Sequence, residues 1–130
     1  MQFVADMLKA KADPVVYTIE PTATVFDAMS LMADRQIGAL VVLEGESVVG
    51  IVTERDYARK IALKSRASRT TPVCDIMTSS VIHVRPDQTS EDCMALMARN
   101  HLRHLPVIDG ARLVGMISIR DFVNEIIANL

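Results

Sequence analysis

The apolar and polar positions along the chain switch between a strand-like and a helical period, and the same succession occurs twice. In each copy a short apolar run leads to a proline, at Val15–Ile19 and again at Val81–Val84, which predicts a strand that the proline ends. Apolar residues at helical spacing follow, after Thr24 in the first copy and after Thr89 in the second. Each copy therefore begins as a strand followed by a helix.

Two further apolar runs follow the helix in each copy, separated by a turn in which glycine stands beside an acidic residue. This arrangement is typical of a β-hairpin. The predicted hairpin strands are Ala39–Leu43, Val48–Val52, Leu105–Ile108 and Leu113–Ile117. A second helix is predicted to begin at Thr53 in the first copy and at Ser118 in the second. One copy is therefore a β-α-β-β-α unit.

The two copies are related by an internal duplication. A shift of 65 residues aligns Val16–Leu63 with the second copy without a gap, and 16 of the 48 aligned positions are identical. Ordinary residue usage would give roughly three identities, so the self-similarity indicates a duplicated unit. Neither copy is large enough to cover its sheet alone. We therefore expect an α/β fold in which two β-α-β-β-α repeats pack about an approximate two-fold axis.

Short apolar segments, Val4–Leu8 and Val73–Met77, precede the copies and predict small helices; we call them the leading segments. The stretch Lys64–Pro72 is polar, basic and punctuated by proline, which predicts a linker. The predicted organisation is a first repeat with its leading helix over residues 1–63, a linker over 64–72, and a second repeat over 73–130.

The first helix of each copy has a methionine-rich apolar side. Such a stripe could line a promiscuous groove, but it is more typical of adaptable core packing. We therefore expect these residues in the core. They are Ala28, Met29, Leu31 and Met32 in the first copy, and Cys93, Met94, Leu96 and Met97 in the second.

Composition and charge narrow the functional classes. The chain has 130 residues, 50% of them apolar, with 14 Lys and Arg against 16 Asp and Glu. The near-balanced charge argues against a broad grip on nucleic acid, and no apolar stretch reaches the length of a membrane span. Cys74 and Cys93 have no metal or redox spacing and are predicted to be reduced, packed thiols. With no secretory signal visible, a cytoplasmic protein is expected.

The junction between the last strand and the last helix has one pattern in both copies: Gly, two apolar residues, Thr or Ser, any residue, Arg and Asp. It spans Gly50–Asp56 and Gly115–Asp121. Thr53 or Ser118 three residues before an acid fits a capping box that needs no ligand. A helix N-terminus also favours phosphate, and a carboxylate one turn later can accept two hydrogen bonds from a ribose diol. Retention of Arg and Asp in both copies favours a nucleotide site.

Other constellations carry less chemistry. His101 and His104 could ligate a metal, but no Cys or carboxylate completes a set, so no metal site is predicted. No nucleophile stands beside a recognisable base, so no enzyme is predicted. A basic run favours a solvated linker, and its second interpretation is a contact for an acidic partner or for a ligand's outer phosphates. Its members are Arg59, Lys60, Lys64, Arg66 and Arg69.

The duplicated unit with its Gly-apolar-x-Thr/Ser-x-x-Asp motif resembles a tandem cystathionine-β-synthase (CBS) domain pair, or Bateman module. The phrase from Val73 to Thr78, Val-x-x-Ile-Met-Thr, and the phrase His104–Val107, His-Leu-Pro-Val, also match this family. The resemblance covers nearly the whole chain. It is closest to the stand-alone regulatory modules.

The resemblance implies a module that senses adenosine compounds such as AMP, ADP, ATP or NAD, in two clefts that each draw on both repeats. The Asp of one repeat would take the ribose, and residues of the other repeat would take phosphate and adenine. The first cleft would comprise Thr53, Asp56, Thr78, Ile82, Arg103 and His104. The second would comprise Tyr17, Ile37, Gly38, Ala39, Ser118 and Asp121.

The two implied clefts differ in charge. Arg103 offers a planar fork suited to phosphate, and His104 can add positive charge as pH falls. Their counterparts, Gly38 and Ala39, supply no cation. The Asp56 cleft is therefore expected to prefer a compact phosphorylated ligand, and the other cleft to be weaker, empty or open to a bulkier ligand such as NAD.

The resemblance further implies a homodimer formed through helical faces and an unidentified regulated protein as partner, with no nucleic acid and no membrane. A competing hypothesis is an interaction and dimerisation module whose Thr/Ser-x-x-Asp segments are only helix caps. A third is a hydrolytic enzyme acting on the nucleotide.

Overall fold

The computed structural model describes residues 2–11 and 13–130 of the chain, and the predicted α/β class is confirmed. The elements are α1 (Val4–Ala10), β1 (Thr18–Ile19), α2 (Val25–Arg35), β2 (Ala39–Glu44), β3 (Ser47–Thr53), α3 (Glu54–Tyr57), α4 (Ser90–Asn100), β4 (His104–Asp109), β5 (Arg112–Ser118) and α5 (Ile119–Ala128). The chain forms two compact units. The continuous unit is Tyr17–Val81, and the split unit combines the residues up to Val16 with Ile82–Leu130.

The continuous unit is built on a three-stranded sheet in the order β1-β2-β3. Strand β1 is parallel to β2, and β2 is antiparallel to β3, with Ala39 opposite Thr53. Gly45 provides the positive φ of 62° in the hairpin turn, as the Gly-acid signal predicts. Helix α2 packs its apolar side on this sheet. The buried residues it contributes are Val25, Ala28 and Met32.

The split unit has a hairpin of β4 and β5 but lacks the strand predicted at Val81–Val84. Only Val84 forms a bridge, and it is parallel to Val107 of β4. Val84 N–H donates to the Pro106 carbonyl at 3.0 Å, and Val84 C=O accepts from Ile108 N–H at 2.9 Å. Continuing this ladder to Ile82 would need an N–H from residue 106, which proline does not have. The proline inside the partner strand therefore explains why the prediction is wrong here.

Each leading segment packs with the hairpin of the other repeat. Helix α1 confirms the predicted first segment and lies in the split unit, where Val4 and Met7 are buried. The second leading segment forms one 3-10 turn, Val73–Asp75, in the continuous unit, where Val73 and Ile76 are buried. The predicted division at residues 63 and 73 follows the sequence repeats, whereas the compact units exchange these segments.

The predicted linker packs against the start of α2. Val25 N–H donates to the Thr71 carbonyl at 2.9 Å, and Phe26 N–H donates to the Ser68 carbonyl at 3.0 Å. The Arg69 guanidinium lies 3.9 Å from the centre of the Phe26 ring. Thr71 is buried. This stretch therefore holds the helix start as well as joining the repeats.

The closing helix of the first repeat begins after Thr53, as predicted; one α-helical turn, α3, is followed by the π-helical segment Ala58–Ala62, which ends with a 3.1 Å bond from Leu63 N–H to the Ala58 carbonyl. Two further expectations need correction. Met94 is 48% exposed, because it lies at the edge of the stripe that Cys93 and Met97 bury. Cys74 is an exposed thiol, while Cys93 is buried, which raises its pKa to about 11.

Candidate functional site

The first motif forms a complete capping box at the end of β3. Asp56 Oδ2 accepts from Thr53 N–H at 3.0 Å and lies 3.2 Å from the Thr53 hydroxyl. In return, Asp56 N–H donates to Thr53 Oγ1 at 3.2 Å. Both side chains are thus fixed by backbone groups that the helix start would otherwise leave unpaired. The capping interpretation of this motif is confirmed.

A lysine holds the other oxygen of this carboxylate. Lys60 Nζ lies 3.1 Å from Asp56 Oδ1 and also donates to the Ile76 carbonyl at 2.8 Å. Lys60 belongs to the π-helical segment that directly follows α3. The Asp56 side chain is only 12% exposed, with partners on both oxygens. Lys60 therefore joins the capping box to the second leading segment within the continuous unit.

The second motif has the same capping geometry but a different arrangement of donors. Asp121 Oδ2 accepts from Ser118 N–H at 2.7 Å and lies 3.2 Å from Ser118 Oγ. Lys11 Nζ lies 3.2 Å from the same oxygen and donates to the Met116 carbonyl at 2.6 Å. All three donors thus meet at Oδ2. Within the described part of the chain, Asp121 Oδ1 accepts no hydrogen bond.

The motif glycines make room for the leading segments. A Cβ on Gly50 would lie 2.6 Å from Met77 Sδ and 3.1 Å from the Thr78 carbonyl oxygen. A Cβ on Gly115 would lie 2.5 Å from Leu8 Cδ2. The sequence motif includes these glycines but does not predict their contacts. Glycine in the middle of a strand otherwise weakens a sheet, so its position there is a signal for a close approach.

Within the continuous unit, Thr78, Gly38 and Ala39 lie beside the Asp56 motif. Thr78 forms an antiparallel bridge to Ile51 of β3, with bonds of 3.0 and 2.9 Å. The Gly38 carbonyl accepts from Glu54 N–H at 3.1 Å, and Ala39 is opposite the capping threonine in the sheet. Tyr17 and Ile37 are half-buried and pack against the core of this unit.

Within the split unit, Arg103 and His104 lie beside the Asp121 motif. The Arg103 carbonyl accepts from Ile119 N–H at 3.0 Å, and His104 is opposite Ser118 in the hairpin. Ile82 is half-buried against the core of this unit. The start of each hairpin thus lies beside the capping box of its own repeat, with Gly38 and Ala39 in one unit and Arg103 and His104 in the other. The crossed grouping of these residues into two clefts stays a prediction.

The charge of His104 differs from the expectation. Burial lowers the pKa of His104 to about 4, and Lys11, Arg103 and Arg120 also lower it, while Asp121 opposes the shift. The imidazole therefore stays neutral until the pH falls to about 4, so it adds little positive charge beside Asp121 between pH 7 and pH 5. The cation beside Asp121 is instead Lys11, which the sequence pattern did not associate with either motif.

Residues 2–11 and 13–130 hold no group of three or more His, Cys, Asp or Glu side chains that could ligate a metal ion. Every helix within these residues is too short or too polar to cross a membrane. Cys74 and Cys93 are both unbridged.

Comparisons with a family model, with relatives and with solved structures all match CBS-domain proteins. The family model described as CBS domain matches residues 4–63 and 73–128. The chain is 39% identical over 132 residues to the mitochondrial CBS domain-containing protein CBSX3 of Arabidopsis thaliana, covering 95% of this chain and 64% of that protein. A solved protein with CBS domains from Burkholderia ambifaria is 50% identical with a TM-score of 0.94, covering 98% of this chain and 96% of that one. The CBS domain pair of protein MJ0100, solved with 5′-methylthioadenosine and S-adenosyl-L-methionine, shares the fold at 21% identity and a TM-score of 0.86, covering 100% of this chain and 99% of that one.

Proposed function

We propose that this chain, which belongs to the CBS domain family, is a regulatory module that senses adenine nucleotides and binds them without chemical turnover. The candidate ligands are AMP, ADP, ATP and NAD. One solved pair with the same fold, that of MJ0100, binds adenosine compounds, which supports the ligand class rather than any one nucleotide. The regulated partner and the cytoplasmic location stay predictions.

The observation that carries this proposal is the pair of carboxylates fixed at the starts of the two closing helices. Asp56 and Asp121 are each oriented by a capping box and lie within 3.2 Å of a lysine Nζ. An oriented carboxylate accepts the two hydroxyls of a ribose. The adjacent ammonium group offsets its charge where a phosphate would otherwise be repelled. The same chemistry therefore occurs twice in one chain.

The proposed ligand sets are those that the family resemblance implies. Asp56 takes the ribose of one ligand and Arg103 binds its phosphate, while Asp121 takes the ribose of a second ligand. The first set is Thr53, Asp56, Thr78, Ile82, Arg103 and His104. The second set is Tyr17, Ile37, Gly38, Ala39, Ser118 and Asp121.

Calorimetric titration of AMP tests these sets. Asp56→Ala and Arg103→Ala are each expected to weaken one binding event at least tenfold, since each removes hydrogen bonds that involve a charged group. The double variant should lose less than the product of the two single effects, because residues that share a partner couple. Asp121→Ala should affect only a second event. If Arg103→Ala weakens the Asp121 event instead, the grouping is wrong.

A ligand-free interaction module is the second candidate. The complete capping boxes favour it, because they give both carboxylates a structural role without a ligand. Native mass spectrometry of the purified protein separates the two functions. A co-purifying adenine compound supports sensing, and its hydrolysis on incubation would indicate an enzyme. A thermal transition that millimolar adenine nucleotides leave unmoved supports the ligand-free module, since a ligand at 100 times its Kd adds about 2.7 kcal/mol.

We also propose that the module forms a homodimer through helix α5. Ile119, Val123, Ile126 and Ile127 are 43–63% exposed and recur at helical spacing on this helix. An apolar stripe of this kind is unusual on a surface that only water covers. Light scattering should show a dimer that Ile126→Glu dissociates, while Asn124→Glu, on another face, leaves it intact.

A further inference from the structure

The lysine beside Asp121 comes from the N-terminal segment, and we propose that Lys11 couples the state of the Asp121 carboxylate to the docking of helix α1 in the split unit. The inference rests on the proposed function only for the ligand that would use this link. Lys11 is thus a positioning residue for Asp121 and a tether for α1.

Lys11 directly follows α1 and is 21% exposed at its side chain. Its Nζ contacts both a carboxylate, Asp121 Oδ2 at 3.2 Å, and a backbone oxygen of β5, Met116 O at 2.6 Å. The Asp121 side chain is 15% exposed. A charge this sheltered is costly to leave unpaired, so withdrawal of Lys11 would destabilise the carboxylate as well as the lysine.

The remaining contacts of α1 place it on the same surface. Its first turn is held by the bonds from Val4 N–H to the Gln88 carbonyl at 2.8 Å and from Ala5 N–H to the Pro86 carbonyl at 3.0 Å. Its last turn places Leu8 against Gly115. Gly115 lies three residues before Ser118, which caps the Asp121 helix. Lys11 therefore connects the docked helix α1 to the Asp121 carboxylate.

The Asp56 motif shows that the lysine need not come from a leading segment. There Lys60 is four residues after Asp56 in the same helical stretch. Lys60 therefore holds Asp56 to its own helical stretch and to the Ile76 carbonyl. Lys11 lies outside the helix that contains Asp121, and this position is what couples the Asp121 motif to α1.

The donor arrangement gives the expected sign of the coupling. Lys11 occupies Oδ2, so a ligand hydroxyl can bind at Oδ1 without displacing it, and the ammonium charge favours a phosphorylated ligand. A docked α1 and a ligand at Asp121 should then stabilise one another, and this coupling is reciprocal. Ligand binding should therefore slow the opening of α1.

Hydrogen exchange of the α1 amides tests the link without ligand. Lys11→Met and Asp121→Asn are each expected to accelerate exchange at Val4–Ala10 about tenfold, and the double variant no further than the stronger single one. Lys9→Met, an exposed position on the same helix, is the matched control and should leave exchange unchanged. If Asp121→Asn leaves α1 exchange at the wild-type rate, Lys11 acts only through Met116 and the inference is wrong.

AMP at saturating concentration is the second arm. It should slow α1 exchange in the wild type and in Lys11→Arg, which keeps the charge, but not in Lys11→Met. If AMP binds at Asp121 and α1 exchange does not change, the coupling is overturned while the proposed function stands. If none of AMP, ADP, ATP and NAD binds, the proposed function fails, and the ligand-free variants still decide whether Lys11 holds α1 to Asp121.

Discussion

The two compact units share one sequence pattern, but they are completed from different places in the chain. In the continuous unit, Ile76 of the leading segment is about 40 to 50 positions from the α2 helix that it helps to cover. In the split unit, Met7 packs with residues about 80 to 115 positions away. The lysines follow the same rule, since Lys60 is local to its motif and Lys11 is remote.

The duplication thus preserved the hairpin and its cap but not the source of the segments that pack around them. A hydrophobic gap at the sheet can be filled by any segment of the right size, so packing constrains the location of the segment and not its origin. The split unit is consequently the one whose site and stability depend on the N-terminal segment.

The largest effect should come from truncating the leading segments. Met7→Ala and Ile76→Ala each remove a buried side chain, 4% and 1% exposed, and each should cost about 2–5 kcal/mol of unfolding free energy. Native-state hydrogen exchange should locate the damage. Met7→Ala should loosen β4 and β5 far from it in sequence, and Ile76→Ala should loosen β2 and β3. The exchange of segments between units would be contradicted if Met7→Ala loosened β2 and β3 instead.

Of the two hairpins, only the one in the split unit should contribute a stability that depends on pH. The folded-state pKa of His104 is about 4, below the usual 6.5, so the unfolded chain takes up its proton first as pH falls. The stability that neutral His104 provides is complete above about pH 6.5 and is lost between there and pH 4. At pH 5 the loss should be about 2 kcal/mol.

Urea unfolding at pH 7 and pH 5 measures this contribution. His104→Gln should flatten the difference between the two pH values, since glutamine does not titrate. The counterpart position is Ala39, so the continuous unit offers no equivalent group. A His104→Gln protein that keeps the full pH dependence would assign the effect to other groups.

The motif glycines should differ in how they can be rescued. Gly50→Ala and Gly115→Ala should each cost about 1–3 kcal/mol by overpacking. Leu8→Ala should remove the added cost at Gly115, because every near contact there is with the Leu8 side chain. Met77→Ala should rescue Gly50→Ala only in part, since the Thr78 carbonyl stays 3.1 Å from the new Cβ. Denaturant midpoints of the single and double variants measure this, and full rescue at Gly50 would be contrary to the structure.

Much of the fold could be predicted from local patterns. The hairpins, the capping residues and the duplication all depend on residues near one another in sequence, where turn and capping chemistry act directly. The strand at Val81–Val84 failed because the limiting residue, Pro106, lies in its partner strand and not in the run itself.

The site was predictable only as far as its motif. The pattern identified Asp56 and Asp121 together with their capping residues, and these contacts are confirmed. Lys11 could not be found in this way, because it meets Asp121 across 110 positions through tertiary packing. The lowered pKa of His104 could not be predicted either, because it depends on burial, which the residue type alone does not show.

The smallest effect should come from the caps that open the two core helices. Thr89 forms a complete capping box with Asp92, whereas Thr24 of α2 has only the bond from Asp27 N–H, at 3.1 Å. Thr24→Ala and Thr89→Ala should each cost about 1 kcal/mol. The two losses should be similar, because each substitution removes only the hydroxyl oxygen that accepts from the N–H three residues later, and alanine at position 89 keeps the backbone N–H that donates to Asp92. Thr→Ser variants, which keep the hydroxyl, should retain most of the stability in thermal unfolding. A clearly larger loss at Thr89 would mean that the two halves of its capping box are coupled, so that losing the hydroxyl also weakens the bond from the N–H of residue 89 to Asp92.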